Sequence, residues 1–79
     1  NAAGQARALE RIEGQLTEAE SDVVRRGRNA HAHHAAPKSA DPADYARATG
    51  LEALVGYLYL SGQMERLEAL YRMMNEAKE

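Results

Sequence analysis

The amino-acid sequence predicts an all-α fold of about four helices with a long loop in the middle. Apolar residues recur three or four positions apart, two motifs typical of helix starts are present, and no segment alternates strictly between apolar and polar residues as a half-buried strand does. The chain has 79 residues and no cysteine, so its own core is small and no disulfide stabilises it. We therefore expect one domain at most, stabilised by a partner chain or by a further part of the protein.

Two short helices are predicted before the loop. The first covers residues 1–13, where apolar residues recur at helical spacing, namely Ala2, Ala6, Leu9 and Ile12. The second covers residues 17–26, because Thr17 and Glu20 have the spacing of a capping box. Gly27 then favours the end of this helix.

Residues 27–41 are predicted to form the loop, because histidine, alanine, serine, lysine and proline replace the apolar periodicity there. This composition offers little to bury, so we expect residues 28–41 to be mobile in the absence of a ligand. Three histidines lie in the loop without an adjacent carboxylate or cysteine to complete a zinc or nickel site, which favours a solvated segment over a metal centre. They are His31, His33 and His34.

Two further helices are predicted after the loop. Asp41 is a suitable capping carboxylate and is followed by a proline, which predicts a third helix over residues 42–60. A Ser-Gly pair interrupts the pattern at Gly62, and a fourth helix is predicted over residues 63–76. Its apolar stripe comprises Met64, Leu67, Tyr71 and Met74.

Charge is unevenly distributed along the chain. Residues 25–47 carry five basic groups against two acids, whereas residues 1–24 carry two against five and residues 48–79 carry three against five. A basic middle third favours a phosphate partner, although the pattern also fits an ordinary solvated loop. No stretch has the length of a membrane span and the first residues lack the charged, apolar and small-residue zones of a signal peptide, so we expect a soluble, intracellular protein. The chain begins with Asn1, which predicts a longer translation product.

Glu52 is the first candidate site residue. The stretch from Leu51 to Leu60 is apolar except for this carboxylate, which predicts a helix that is buried on all sides. A carboxylate in such surroundings has to become neutral, pair with a cation or bind a metal. On spacing alone, a buried salt bridge to an arginine is the more ordinary interpretation, and a metal or catalytic role is the alternative.

The second candidate site is the basic run Arg25-Arg26-Gly27-Arg28-Asn29. Guanidinium groups match phosphate oxygens, and Asn29 adds a neutral hydrogen-bonding group. Arg25 and Arg26 equally fit a role at the C-terminus of the second helix, where cations interact favourably with the helix dipole. Both interpretations remain open at this point.

Several classes of function are excluded or disfavoured. The sequence contains neither glycine-rich phosphate loop motif, no H-E-x-x-H zinc motif and no serine in a nucleophile elbow. A helix-turn-helix DNA reader around residues 60–63 is disfavoured, because the first helix is too apolar and the second is mostly acidic.

Two stretches, R-R-G-R-N-A at residues 25–30 and T-G-L-E-A-L-V-G-Y-L-Y-L at residues 49–60, together with Asp44-Tyr45 between them, closely resemble Mini-ribonuclease III. These bacterial endonucleases consist of the ribonuclease III catalytic domain without a double-stranded-RNA-binding domain. The resemblance implies that residues 1–79 are the C-terminal part of one such domain and supply its C-terminal helices. The family's Gly-Asp-Ala catalytic motif has no counterpart here. We therefore expect this chain by itself to be inactive.

The resemblance also implies a function. It implies a metal-dependent endoribonuclease that cleaves structured double-stranded RNA, a precursor of large-subunit ribosomal RNA, with Mg²⁺ as cofactor. Glu52 would be a catalytic carboxylate and metal ligand, and the RNA-binding residues would be Arg25, Arg26, Arg28, Asn29 and Lys38. A homodimer in the bacterial cytoplasm is expected, with no membrane and no DNA partner. The alternative is a non-catalytic helical module for RNA binding or assembly.

Overall fold

The computed structural model describes residues 1–30 and 36–76. Helix α1 covers Ala2–Ile12 and a short 3-10 helix covers Glu13–Gln15. Helix α2 covers Glu18–Ala30, α3 covers Pro42–Leu60 and α4 covers Met64–Glu76. These ranges contain no strand, so the predicted all-α fold is confirmed. The three loop histidines, His31, His33 and His34, lie outside the described residues.

The helix starts follow local capping chemistry. The Thr17 hydroxyl accepts a hydrogen bond from the Glu20 amide at 3.1 Å, and the Glu20 carboxylate accepts one from the Thr17 amide at 2.9 Å. The predicted capping box is therefore present. Asp41 accepts a hydrogen bond from the Asp44 amide at 3.0 Å, with proline in the first turn of α3. These bonds satisfy amides that have no partner within the helix.

The turn between α3 and α4 requires a glycine. Gly62 has a φ of 76°, a left-handed conformation that is strained for residues with a Cβ. The Ser61 hydroxyl donates to the Tyr57 carbonyl at 2.6 Å and so satisfies one of the last carbonyls of α3. The break predicted at this position therefore has a clear physical basis.

The core lies where the four α-helices meet around α3. Its buried residues are Leu9, Ile12, Val24, Leu51, Leu54, Leu58, Leu70 and Met74. Helices α1 and α2 both pack against α3, and α4 packs against α1 and α3. In the described ranges, no helix is both long enough and apolar enough to cross a membrane.

Helix α2 is longer than predicted, because Gly27 does not end it. Gly27 is buried inside α2, which continues to Ala30. A Cβ at Gly27 would lie 2.8 Å from the Ala53 Cβ and 3.0 Å from the Gly50 Cα. The glycine is thus needed for a close approach of α2 to α3, and the prediction that the loop begins at residue 27 is wrong.

A buried ion pair joins α2 to α4. Glu20 is 3% exposed, and its carboxylate accepts hydrogen bonds from Arg66 at 2.8 and 2.9 Å. Arg66 also donates to the Gln15 carbonyl at 2.7 Å. The hydrogen bonds from Arg66, together with those from Thr17, hold the pKa of Glu20 below its usual value, although burial opposes this shift. The pair fixes the start of α4 against the junction of α1 and α2.

Candidate functional site

Glu52 is exposed on the surface of α3. The prediction that its helix is buried on all sides is wrong, since Tyr59 is 63% exposed and Leu60 is 85% exposed. Helices α1, α2 and α4 cover only part of α3 and leave one face open. The salt bridge to an arginine, which is the more ordinary interpretation of Glu52 on spacing alone, is also absent, because Glu52 forms no hydrogen bond or ion pair within the described ranges.

Two adjacent grooves meet at Glu52. The large groove, of about 610 Å³, lies between the start of α1, the middle of α3 and the end of α4, where Val55, Tyr71 and Met74 contribute apolar surface. The small groove, of about 290 Å³, lies between the start of α1, residues 37–40 and the first half of α3. Glu52 lines both grooves, as does Gln5 of α1.

Two further polar residues of α3 border the small groove. Tyr45 lies about two turns before Glu52 on α3 and Thr49 about one turn before it, and all three residues line this groove. The Thr49 hydroxyl donates to the Tyr45 carbonyl at 2.9 Å, which fixes the orientation of the hydroxyl. A Cβ at Gly56 would meet nothing within 4 Å, so the large groove is open at that position.

The possible metal ligands among the described residues fit a magnesium ion only in part. Among the described residues, no group of three or more histidine, cysteine, aspartate or glutamate side chains could hold a metal. Mg²⁺, however, is commonly bound by one or two carboxylates, with water and substrate phosphates as its other ligands. The exposed Glu52 carboxylate could supply one such ligand, and the remaining ligands would have to come from elsewhere.

The candidate RNA-binding arginines lie within α2 and have carboxylate partners. Asp22 forms ion pairs with Arg25 and with Arg26, the latter at 2.8 Å. The Arg28 guanidinium lies 3.9 Å from the Glu13 carboxylate. The hydrogen bond from Arg25 and the charges of Arg26 and Arg25 lower the pKa of Asp22. The sequence signal for these pairs is an aspartate three and four residues before an arginine on the same helix.

Because α2 continues to Ala30, the interpretation of Arg25 and Arg26 as residues at its C-terminus has to be reconsidered. Arg25 and Arg26 are not in the last turn of the helix, which contains Arg28 instead. A role for Arg25 and Arg26 at the helix C-terminus is therefore ruled out. Asn29 and Lys38 are both exposed, and neither side chain forms a hydrogen bond or ion pair with a described residue.

The structure does not bring Glu52 and the arginines into one groove. Gly50 and Ala53 face α2, whereas Glu52 is displaced from them by about 160° and 100° around α3. The groove beside Arg25 and Arg28 is formed by α2 and Glu13, away from the two grooves at Glu52. A ligand that contacts both regions has to be larger than either groove.

Comparisons with known proteins give a consistent result. The ribonuclease III domain family matches residues 1–63. The chain is 67% identical over 66 residues to Mini-ribonuclease 3 of Symbiobacterium thermophilum, covering 84% of this chain and 50% of that protein. It is 46% identical over 72 residues to Mini-ribonuclease 3 of a Thermoanaerobacter species, covering 91% and 50%, respectively. The chain thus spans about half the length of the curated relatives it matches. No solved structure matches it.

Proposed function

The chain belongs to the ribonuclease III domain family, and from this membership we propose that the complete protein is an endoribonuclease that cleaves structured double-stranded RNA. The observation that carries the proposal is Glu52, an exposed carboxylate with no partner in the described ranges, which lies where two grooves meet. An exposed carboxylate on a rigid helix is free to contact a metal, a water molecule or a substrate.

We propose Glu52 as a metal ligand and Mg²⁺ as the cofactor. A bound Mg²⁺ would supply Lewis-acid chemistry by stabilising the charge that develops on a phosphoryl group. The contribution of this chain is to hold the Glu52 carboxylate on a helix whose other faces pack against α1, α2 and α4. This packing fixes the backbone position from which the Glu52 side chain reaches the two grooves.

The exposed basic residues of α2 are proposed as RNA contacts. The side chains of Arg25 and Arg26 are 61% and 75% exposed, so phosphate oxygens can reach them despite their pairing with Asp22. Arg28, Asn29 and Lys38 extend this set toward the end of α2 and the start of α3. A-form RNA presents phosphates and 2′-hydroxyls over a wide, shallow surface, so one duplex can span α2 and the grooves at Glu52.

The finer features of the function rest on the resemblance to Mini-ribonuclease III. We propose a precursor of large-subunit ribosomal RNA as the substrate, a homodimer as the active form and the cytoplasm as the compartment. Exposed apolar side chains on α3 and α4, including Tyr59, Leu60 and Met64, leave surface available for pairing of two copies.

Cleavage assays on the complete protein test the proposal. A structured duplex RNA, a single-stranded RNA and a DNA duplex of the same sequence are incubated with the protein in Mg²⁺ and, separately, in a chelator. We expect Mg²⁺-dependent cleavage of the duplex RNA alone. Binding of duplex RNA without cleavage at any Mg²⁺ concentration would support the alternative, a non-catalytic RNA-binding or assembly module.

A further inference from the structure

We propose that Gln5 is a specificity-determining residue, whose side-chain amide forms a hydrogen bond with a ribose 2′-hydroxyl of duplex RNA; this inference rests on the function proposed above. The inference starts from the place of Gln5 in the structure, because Gln5 borders the same two grooves as Glu52. These are the two residues that line both the large groove and the small groove among the described part of the chain. They come from different helices, α1 and α3, and so border the grooves from opposite sides.

The side chain of Gln5 has no structural task in the described residues. Other polar side chains near it already have partners. The Asn1 side chain accepts a hydrogen bond from the Gly4 amide at 2.7 Å and so caps α1. Arg7 forms ion pairs, and Arg11 donates to a carbonyl of α4 at 3.1 Å. Gln5, by contrast, is exposed and forms no side-chain hydrogen bond with any residue that the structure describes. A polar group that the fold does not use is available to a ligand.

The chemistry of the groove favours a neutral, hydroxyl-bearing partner for Gln5. A primary amide both donates and accepts hydrogen bonds, as a hydroxyl does. Phosphate oxygens accept only, so they would use the donor half of the amide and leave its carbonyl oxygen unpaired. The 2′-hydroxyl is the hydroxyl group that each internal nucleotide of an RNA strand carries, and it is the group by which proteins distinguish RNA from DNA.

Binding measurements with modified duplexes test this inference. The affinity of the complete protein is measured for an RNA duplex and for the same duplex with 2′-fluoro groups, which keep the A-form but remove the hydroxyl donor. The variants are Gln5→Leu, which keeps the helix propensity and the approximate size of the residue, and Gln15→Leu as the matched control outside the grooves. Thermal unfolding of each variant reports on the fold.

We expect Gln5→Leu to weaken binding of the RNA duplex about fivefold, the ratio that one hydrogen bond of typical strength supplies. Binding of the 2′-fluoro duplex should be the same for wild type and Gln5→Leu, and Gln15→Leu should bind both duplexes like wild type. An equal loss on both duplexes, or no loss on either, would overturn the inference while leaving the proposed function intact. If the wild-type protein does not bind duplex RNA at all, the proposed function itself fails.

Discussion

Gly27 of α2 and Gly50 of α3 are in direct backbone contact, such that a Cβ on Gly27 would lie 3.0 Å from the Gly50 Cα. A Cβ on Gly50 would in turn lie 2.9 Å from the Val24 carbonyl oxygen. Backbone atoms cannot move aside as the end of a flexible side chain can. Helix α2, and with it the three arginines, is therefore placed against α3 by the absence of side chains at these two positions.

Gly27→Ala is expected to destabilise the fold. Overpacking in a tight contact costs about 1–3 kcal/mol, which exceeds the gain of up to about 1 kcal/mol from replacing a glycine within a helix. Gly56→Ala is the matched control, because a Cβ there meets nothing within 4 Å and only the helix-propensity gain remains. Urea unfolding followed by circular dichroism measures both changes. A Gly27→Ala variant as stable as Gly56→Ala would contradict the proposed contact.

The buried ion pair should make a measurable, pH-dependent contribution to stability. We expect Arg66→Met to lower the free energy of unfolding by about 2 kcal/mol, less than for a fully buried pair because Arg66 is 28% exposed. Since the pKa of Glu20 is lowered in the folded protein, its contribution is complete above its usual value and is lost as the pH falls through the folded pKa.

Denaturant unfolding of wild type, Glu20→Gln and Arg66→Met between pH 7 and pH 3 tests this prediction. The wild type should lose more stability on acidification than Glu20→Gln, which no longer titrates at this position. Arg72→Met is the control for loss of an arginine from α4, because Arg72 is exposed and forms no ion pair with a described residue. Parallel pH profiles for wild type and Glu20→Gln would show that protonation of Glu20 does not cause the loss of stability at low pH.

Glu52→Gln should abolish Mg²⁺-dependent cleavage by the complete protein and leave its stability within about 0.5 kcal/mol, as is usual for exposed positions. The amide keeps the shape of the side chain but loses the charge with which a metal ligand binds. Single-turnover cleavage at saturating Mg²⁺ gives the rate, and Glu68→Gln on α4 is the control for loss of an exposed acid. Wild-type rates for Glu52→Gln would exclude Glu52 as a catalytic ligand.

Replacing Arg25 or Arg26 with alanine should weaken binding of all RNA duplexes by a similar factor. Each lost phosphate contact should reduce the slope of log affinity against log salt concentration by up to about one. A salt titration of the complete protein measures this slope, together with a melting curve. A lower melting temperature with an unchanged slope would assign these arginines to structure instead.

Asp22→Asn should raise the affinity for RNA, because Asp22 pairs with both Arg25 and Arg26 and competes with phosphate for them. Glu18→Gln is the matched control, since it removes one negative charge from the same helix without breaking an ion pair in the described structure. We expect a larger affinity gain for Asp22→Asn, measured at low salt. Equal gains for the two variants would show that only the overall charge of α2 matters.

The helices could be predicted from local signals, whereas their surroundings could not. The capping box at Thr17 and Glu20 and the cap at Asp41 depend on residues three positions apart, so the sequence contains the whole motif. The long-range partner of Glu20 is Arg66, 46 residues further along the chain, and no local pattern indicates it. The candidate function came from the resemblance, not from the helical pattern.

Two predictions failed for identifiable physical reasons. A glycine that permits a close helix contact and one that ends a helix look the same in sequence, which is why α2 was predicted to stop at Gly27. An apolar helix is buried on all sides only if neighbours surround it, and α3 has one face that no described element covers. Glu52 lies on this open face, so its predicted role as a ligand now depends on its exposure to substrate and not on burial.

The pairing of Arg66 with Glu20 also bears on the order in which the chain folds. Closing a loop of 46 residues is entropically costly, whereas each helix forms from contacts within a few residues. The ion pair is therefore expected to form late, after α2 and α4 exist as helices. A contact that is absent from the transition state affects the unfolding rate and not the folding rate. This one pair is therefore expected to lengthen the lifetime of the folded domain without changing how quickly the domain forms.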